Sequence, residues 1–265
     1  FNPWRGCSKI SPGCAHCYAE TMSKRNPKVL GVWGNQGTRP SASESSWHQP
    51  LRWNRLAEQE GRRHRVFCAS LADVCEDRRD FVGPRARLKE LILDTPWLTW
   101  QLLSKRPEHF STLFDWTDIG GRGYWPENVW AMTSVENQEY AGRRIPELLR
   151  VPAHVRGLSV EPLLGPINLR FRSSRYAGNP KAISWVIIGG ESGPRAQPCH
   201  LDWIRDLIRQ CQEARVACFV KQLGSNIQGL HLRDRKGGDP AEWPEDLRVR
   251  EFPASVNANY EGDTR

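Results

Sequence analysis

Six short apolar runs, each followed by polar sequence and most by a stretch of helical periodicity, constrain the fold of this chain more than any other feature. They are "RVFCASLADV" (65–74), "WLTWQLLSKRP" (97–107), "NVWAMTSVEN" (128–137), "VRGLSVEP" (155–162), "SWVIIGGESG" (184–193) and "ACFVKQLG" (217–224). Each is β-branched and aromatic and apolar on both faces, the pattern of a strand buried in a parallel sheet. Between them, "RARLKELILDT" (85–95), "NQEYAGRRIPELLR" (137–150) and "LDWIRDLIRQCQEA" (201–214) are amphipathic. In the last, Trp203, Leu207, Ile208 and Cys211 share one helical face opposite Arg205, Arg209 and Gln212. Strand and helix repeating every 25 to 30 residues or so predict an α/β fold, a TIM-like partial (β/α) barrel, with a doubly wound open sheet as the alternative. "NPWRG" (2–6) is expected to end a further strand. Residues 1–224 read as the barrel with an N-terminal cysteine loop, and 225–265, polar and rich in Gly, Pro and Asp, as a tail or lid packed on it.

Polar groups follow the apolar runs in turn: Ser70 and Asp73; Ser104, Lys105 and Arg106; Ser134, Glu136 and Asn137; Ser159 and Glu161; Glu191 and Ser192; Lys221 and Gln222. In barrels the C-terminal ends of the strands carry the active site. Carboxylates and cations gathered there predict an enzyme-like mouth. Lys105, Arg106 and Lys221 can meet a carboxylate or phosphate of a ligand, or pair with Glu136, Glu161 or Glu191.

"GCSKISPGCAHCYAE" (6–20) adds three cysteines to that face. Cys7, Cys14 and Cys17 are spaced C-x6-C-x2-C, and "YAETMSKR" (18–25) opens a helix directly after them. The partial positive charge of that helix start favours thiolates and anions. No run of about 18 apolar residues offers a membrane span, and no export signal opens the chain. Eight cysteines in such a chain are expected in a reducing cytoplasm, where clustered thiols serve as metal ligands or redox groups rather than disulfides. Structural zinc closes its shell with four ligands, whereas three cysteines on a [4Fe–4S] cluster leave one iron open. Both remain possible on spacing, and the open iron is the better match. Cys68, Cys211 and Cys218 read as core residues; Cys75 and Cys199 lie where a redox role near the mouth is conceivable.

Lys and Arg number 38 against 30 Asp and Glu, a net charge of +8. Basic residues concentrate in "RWNRLAEQEGRRHR" (52–65), "RFRSSR" (170–175) and "RDRK" (233–236), which suits an anionic partner such as nucleic acid. Trp4, Trp33, Trp47 and Trp53 are the aromatic residues best placed to stack bases.

Taken together, "NPWRGCSKISPGCAHCYAE", "SLADVCED", "LLSKRP", "SVENQEYAGRRIPELL", "SVEPLLGPI", "VIIGGESGP" and "FVKQLG" resemble the phage-associated three-Cys-motif protein family, a group related to radical S-adenosylmethionine (SAM) enzymes. The resemblance covers about residues 2–224. It implies a barrel of the radical SAM type with a [4Fe–4S] cluster on Cys7, Cys14 and Cys17. It also implies SAM as cofactor and an external one-electron reductant; the basic charge together with the phage association of the family suits a nucleic acid or nucleotide substrate undergoing repair or modification. The matching Gly189-Gly190-Glu191, with Ser134, Glu136, Asn137, Ser159 and Glu161, are the candidates to hold SAM. Glu191, Lys105 and Lys221 are the candidates for catalysis. Three departures accompany the likeness. The first cysteine gap is six residues where the superfamily has three, His16 stands where an aromatic residue usually precedes the last cysteine, and Gly-Gly-Glu comes several strands later than usual. A non-SAM iron–sulfur protein and a zinc-stabilised binding module are the alternatives.

Overall fold

The computed structural model describes residues 1–117, 121, 123–169 and 183–254. "RFRSSR" lies outside them. Six parallel strands form one sheet: β1 (His64–Cys68), β2 (Leu98–Ser104), β3 (Val129–Ser134), β4 (Val155–Val160), β5 (Trp185–Gly189) and β6 (Ala217–Gln222). Each strand pairs with its neighbour in sequence, with no reversal of order. A doubly wound sheet needs such a reversal. Unreversed order combined with right-handed crossovers keeps the helices on one face, and the sheet curls into an open half-barrel.

The two faces of the strands feed separate apolar clusters, alternating residue by residue as strand geometry requires. Val129, Ala131, Val186 and Ile188 pack outward with residues of α3 (Val82–Leu93), α4 (Gln138–Leu149) and α5 (Leu201–Ala214), including Leu88, Ile92, Ile145, Leu148, Leu207 and Ile208. Trp130, Met132, Trp185 and Ile187 pack on the concave side with Leu103 and Phe219. In α5 the buried residues are Ile204, Leu207, Ile208 and Cys211, with Trp203 only half-buried.

The remaining long helices are α1 (Tyr18–Arg25) and α2 (Glu44–Gln59). The sequence reading missed α2. Its signals are a Ser43 cap, whose hydroxyl accepts from the Ser46 amide at 3.3 Å, and Trp47, Pro50 and Ala57 buried against the barrel. The expected strand at "NPWRG" is replaced by two isolated bridges, Trp4 to Ser41 and Gly6 to Ala72. The segment still runs beside the loop leaving β1, with the Gly6 amide donating to the Leu71 carbonyl at 2.9 Å.

Past β6, Trp243 and Leu247 join the outer core. The chain then runs against the β6 edge, where the Val220 amide donates to Val249 at 2.8 Å and the Glu251 amide to Cys218 at 2.7 Å. This brings Phe252 into the concave cluster. The Arg65 guanidinium of β1 lies 3.7 Å from the Phe252 ring centre. Residues from both edges of the open sheet therefore meet at its N-terminal end, away from the mouth.

Candidate functional site

A cavity of about 620 Å³ runs along the concave face from the cysteine loop to Phe252. Cys7, Cys14 and Cys17 all line its mouth, and Phe67, Leu103, Trp185, Ile187 and Phe219 line its wall. Its volume is typical of small-molecule and cofactor sites.

The cysteine loop is fastened to the strand ends by buried charge. Asp73, after β1, accepts from the Ser104 hydroxyl at 2.6 Å, the amides of Cys75 and Lys105 at 2.9 and 3.0 Å, and Arg106 at 2.8 Å. Arg106 also donates to the Ser8 hydroxyl at 2.9 Å, and that hydroxyl donates to Glu76 at 2.6 Å. Arg39 grips both Glu76 oxygens, at 2.9 and 2.8 Å, and donates to the carbonyls of Val32 and Gly34. Burial works against the Glu76 carboxylate, yet the bonds from Arg39 and Ser8 hold it below the usual carboxylate range. Arg106 is likewise raised by Asp73 against the effect of its burial.

A second anchor is Glu136, which is fully buried. One oxygen accepts from Ser11 at 2.6 Å and pairs with Lys105, and the other takes Arg144 at 3.2 Å. Gly13 passes so close that a Cβ there would sit 2.5 Å from the Glu136 Cγ. The loop can follow this path only with glycine at that position.

Burial pushes the Cys7 thiol up to about 12, with Asp73 adding to the rise and Arg106 opposing it. Burial also raises Cys17, against the pull of the Glu20 and Ala19 amides at the start of α1 and, more weakly, of Lys105. Anionic sulfur at these positions would therefore face Arg106, Lys105 and the open end of a helix. Among the described residues no three His, Cys, Asp or Glu side chains gather as a single metal ion requires. In a [4Fe–4S] cluster each cysteine binds a different iron, so three thiols spaced around one cavity suit that group.

The other candidates divide clearly. Gly190, Glu191, Ser134, Ser159, Glu161, Lys105 and Lys221 line the cavity, whereas Gly189, Glu136 and Asn137 do not. Asn137 caps α4 by accepting from the Tyr140 amide at 3.1 Å. Ser134 and Ser159 are register partners on β3 and β4, and neither hydroxyl has a side-chain hydrogen bond among the described residues. One Glu191 oxygen accepts from the Gln197 amide at 2.7 Å and lies 3.2 Å from His16 Nδ1; the other has no partner among the described residues. Gly190 has a packing role, since a Cβ there would lie 2.2 Å from the Leu223 carbonyl oxygen. Lys221 pairs with both Glu161 oxygens at 2.9 and 3.0 Å on the rim.

Residues 1–250 match the family described as Protein of unknown function (DUF5131). The chain belongs to the DUF5131 family. No curated protein and no solved structure matches it.

For this DUF5131 chain, the latch residues Arg39 and Glu76 are the functional-site neighbours that sequence reading missed. Nothing in their local sequence marks them, because their partners lie 37 residues apart. Cys75 and Cys199 are buried, at 0% and 1% exposure, and neither lines the cavity. Cys68, Cys211 and Cys218 are buried too. Of the four tryptophans considered for stacking, only Trp33 lines the cavity. Trp4 stacks on Phe81 with ring centres 4.2 Å apart, Trp47 is core, and Trp53 packs against the core. No described helix is long and apolar enough to cross a membrane.

Proposed function

We propose that this chain is an iron–sulfur enzyme of the radical SAM type, with a [4Fe–4S] cluster held by Cys7, Cys14 and Cys17. The observation that carries the proposal is the placement of all three thiols around one cavity at the C-terminal ends of six parallel strands, beside Lys105 and Arg106. When bound, the cluster and SAM, with an external one-electron reductant, would supply reductive cleavage of SAM to methionine and a 5′-deoxyadenosyl radical.

The chain's own residues supply orientation and exclusion of water. The Glu191 oxygen that has no partner among the described residues suits the SAM ammonium group. The adjacent Ser134 and Ser159 hydroxyls suit its ribose or carboxylate. Trp185, Ile187 and Phe219 keep the chamber apolar, and the Lys221–Glu161 pair on the rim can exchange partners with a charged substrate. Lys105 is committed to Glu136, so its role is to hold the loop and offset thiolate charge.

The test is anaerobic reconstitution with iron and sulfide, read by absorption and electron spin resonance before and after SAM. A broad band near about 400 nm, lost in each of Cys7→Ala, Cys14→Ala and Cys17→Ala, is expected, together with a changed reduced-cluster signal on adding SAM. A colourless protein holding one zinc overturns the proposal. An intact cluster whose signal ignores SAM points instead to a non-SAM iron–sulfur protein.

A further inference from the structure

Much of the positive charge of the chain lies in its first 43 residues, which also carry the cysteine loop, Tyr18 and Trp33 of the cavity lining. Residues 1–43 contain Arg5, Lys9, Lys24, Arg25, Lys28 and Arg39 against the single carboxylate Glu20, so they carry +5 (six minus one) of the net +8. Arg39 is used internally on Glu76, and Lys9 pairs with Glu20 at 2.7 Å. Lys24 pairs with Glu20 only at 3.6 Å, with its side chain 69% exposed. Arg25 and Lys28 are exposed and make no ion pair among the described residues. By contrast, the basic run at 52–65 begins on α2 and ends at β1, toward the end of the barrel away from the mouth.

The same face exposes apolar surface that the fold does not need there. Tyr18 and Met22 lie one turn apart on α1, 51% and 45% exposed, and Val29 and Val32 follow at 51% and 48%. Tyr18 and Trp33 also line the cavity, so the face continues into its apolar wall. Cations interleaved with flat and apolar side chains are how single strands of nucleic acid are held, phosphates on the cations and bases on the apolar groups. An acidic protein could satisfy the charge, but it would cover the opening without filling it. A strand can keep its phosphates on the rim while one base turns inward to the aromatic wall.

We infer that the face built by α1, the short helix Pro27–Leu30 and the segment to Trp33 binds a single-stranded polynucleotide, with one base entering the cavity. This deepens the proposed function by naming its substrate class, and it rests on that reading only in treating the cavity as the reaction chamber.

The test uses fluorescein-labelled single-stranded DNA and RNA of one sequence, followed by anisotropy across a salt series. Arg25→Glu with Lys28→Glu is compared with Arg52→Glu with Arg55→Glu, which changes net charge equally on α2. The rim pair is expected to weaken binding about tenfold or more and to flatten the salt dependence by roughly 1.4, two contacts at about 0.7 each. The α2 pair should bind like the wild type, and Tyr18→Ala should bind more weakly at every salt concentration. Equal losses in both charge pairs, no loss in either, or equal competition by polyglutamate would overturn the inference. A preference between DNA and RNA identifies the natural strand and supports it. Cluster absorbance on the same preparations separates the two readings. Rim-dependent binding without a cluster sinks only the radical chemistry, and a loaded cluster without rim-dependent binding sinks only this inference.

Discussion

Arg106 Nη1 lies 2.8 Å from Asp73 Oδ2 while its Nη2 lies 2.9 Å from the Ser8 hydroxyl, so one guanidinium joins the ends of β1 and β2 to the residue beside Cys7. Both members of the ion pair are buried, with side chains 9% and 6% exposed. Removing one partner leaves an uncompensated charge, which costs about 3–5 kcal/mol. Asp73→Ala is therefore expected to lower unfolding free energy in denaturant by that amount and, on the proposed function, to reduce iron retained per chain after reconstitution. Stability within about 1 kcal/mol of wild type would mean that the pair does not hold the loop.

Gly13 and Glu136 make a stricter constraint. A Cβ at Gly13 would meet the Glu136 Cγ, Oε1 and Cδ at 2.5, 2.7 and 2.9 Å, and that carboxylate is fixed by Ser11, Lys105 and Arg144. Gly13→Ala should destabilise the protein by about 1–3 kcal/mol, as overpacking does. On the proposed function it should also lower cluster occupancy after reconstitution, while leaving the far-ultraviolet circular dichroism unchanged. Full iron loading in this variant would show that the loop can take another path.

The Arg39–Glu76 latch gives a pH dependence with a definite sign. Glu76 is held below its ordinary value of 4.5, so the folded state binds fewer protons there than the unfolded state. Its stabilisation is present above about 4.5 and is lost as pH falls through the lower folded value. Denaturant unfolding of wild type and Glu76→Gln at a series of pH values should show a wild-type advantage near neutrality that shrinks below 4.5. A constant difference down the series would remove this carboxylate as the cause.

Lys221 and Glu161 should behave differently, since the lysine side chain is 52% exposed. Exposed pairs contribute about 0–1 kcal/mol, so Lys221→Met should leave stability within that range. On the proposed function its expected effect is on ligand response, a weaker change in the reduced-cluster signal when SAM or substrate is added. A loss of several kcal/mol instead would make the pair a structural clamp.

The four inner strands were legible because burial on both faces writes a short apolar run into each. The edge strands β1 and β6 alternate buried with half-buried or exposed positions and still carry apolar residues. The helix Glu44–Gln59 was not legible, since its buried residues Trp47, Pro50 and Ala57 are few and widely spaced, and a proline inside the run speaks against a helix. The three cysteines were legible from spacing alone. Their setting was legible only in part: charges at strand ends allow Lys105–Glu136 and Lys221–Glu161, as observed, whereas Arg106–Asp73 and Arg39–Glu76 join residues 33 and 37 apart that no pattern links.

By itself, then, the sequence determined a parallel α/β repeat, polar strand ends and a thiol loop, all of which depend on local periodicity and residue type. Only the tertiary structure decided that Glu136 and Asn137 hold the chain together while Glu191, Ser134 and Ser159 face the cavity. That division depends on strand register and on the curl of the sheet, which bring side chains from distant segments together. No local pattern carries that information, because electrostatic and packing partners are chosen by distance in space rather than along the chain.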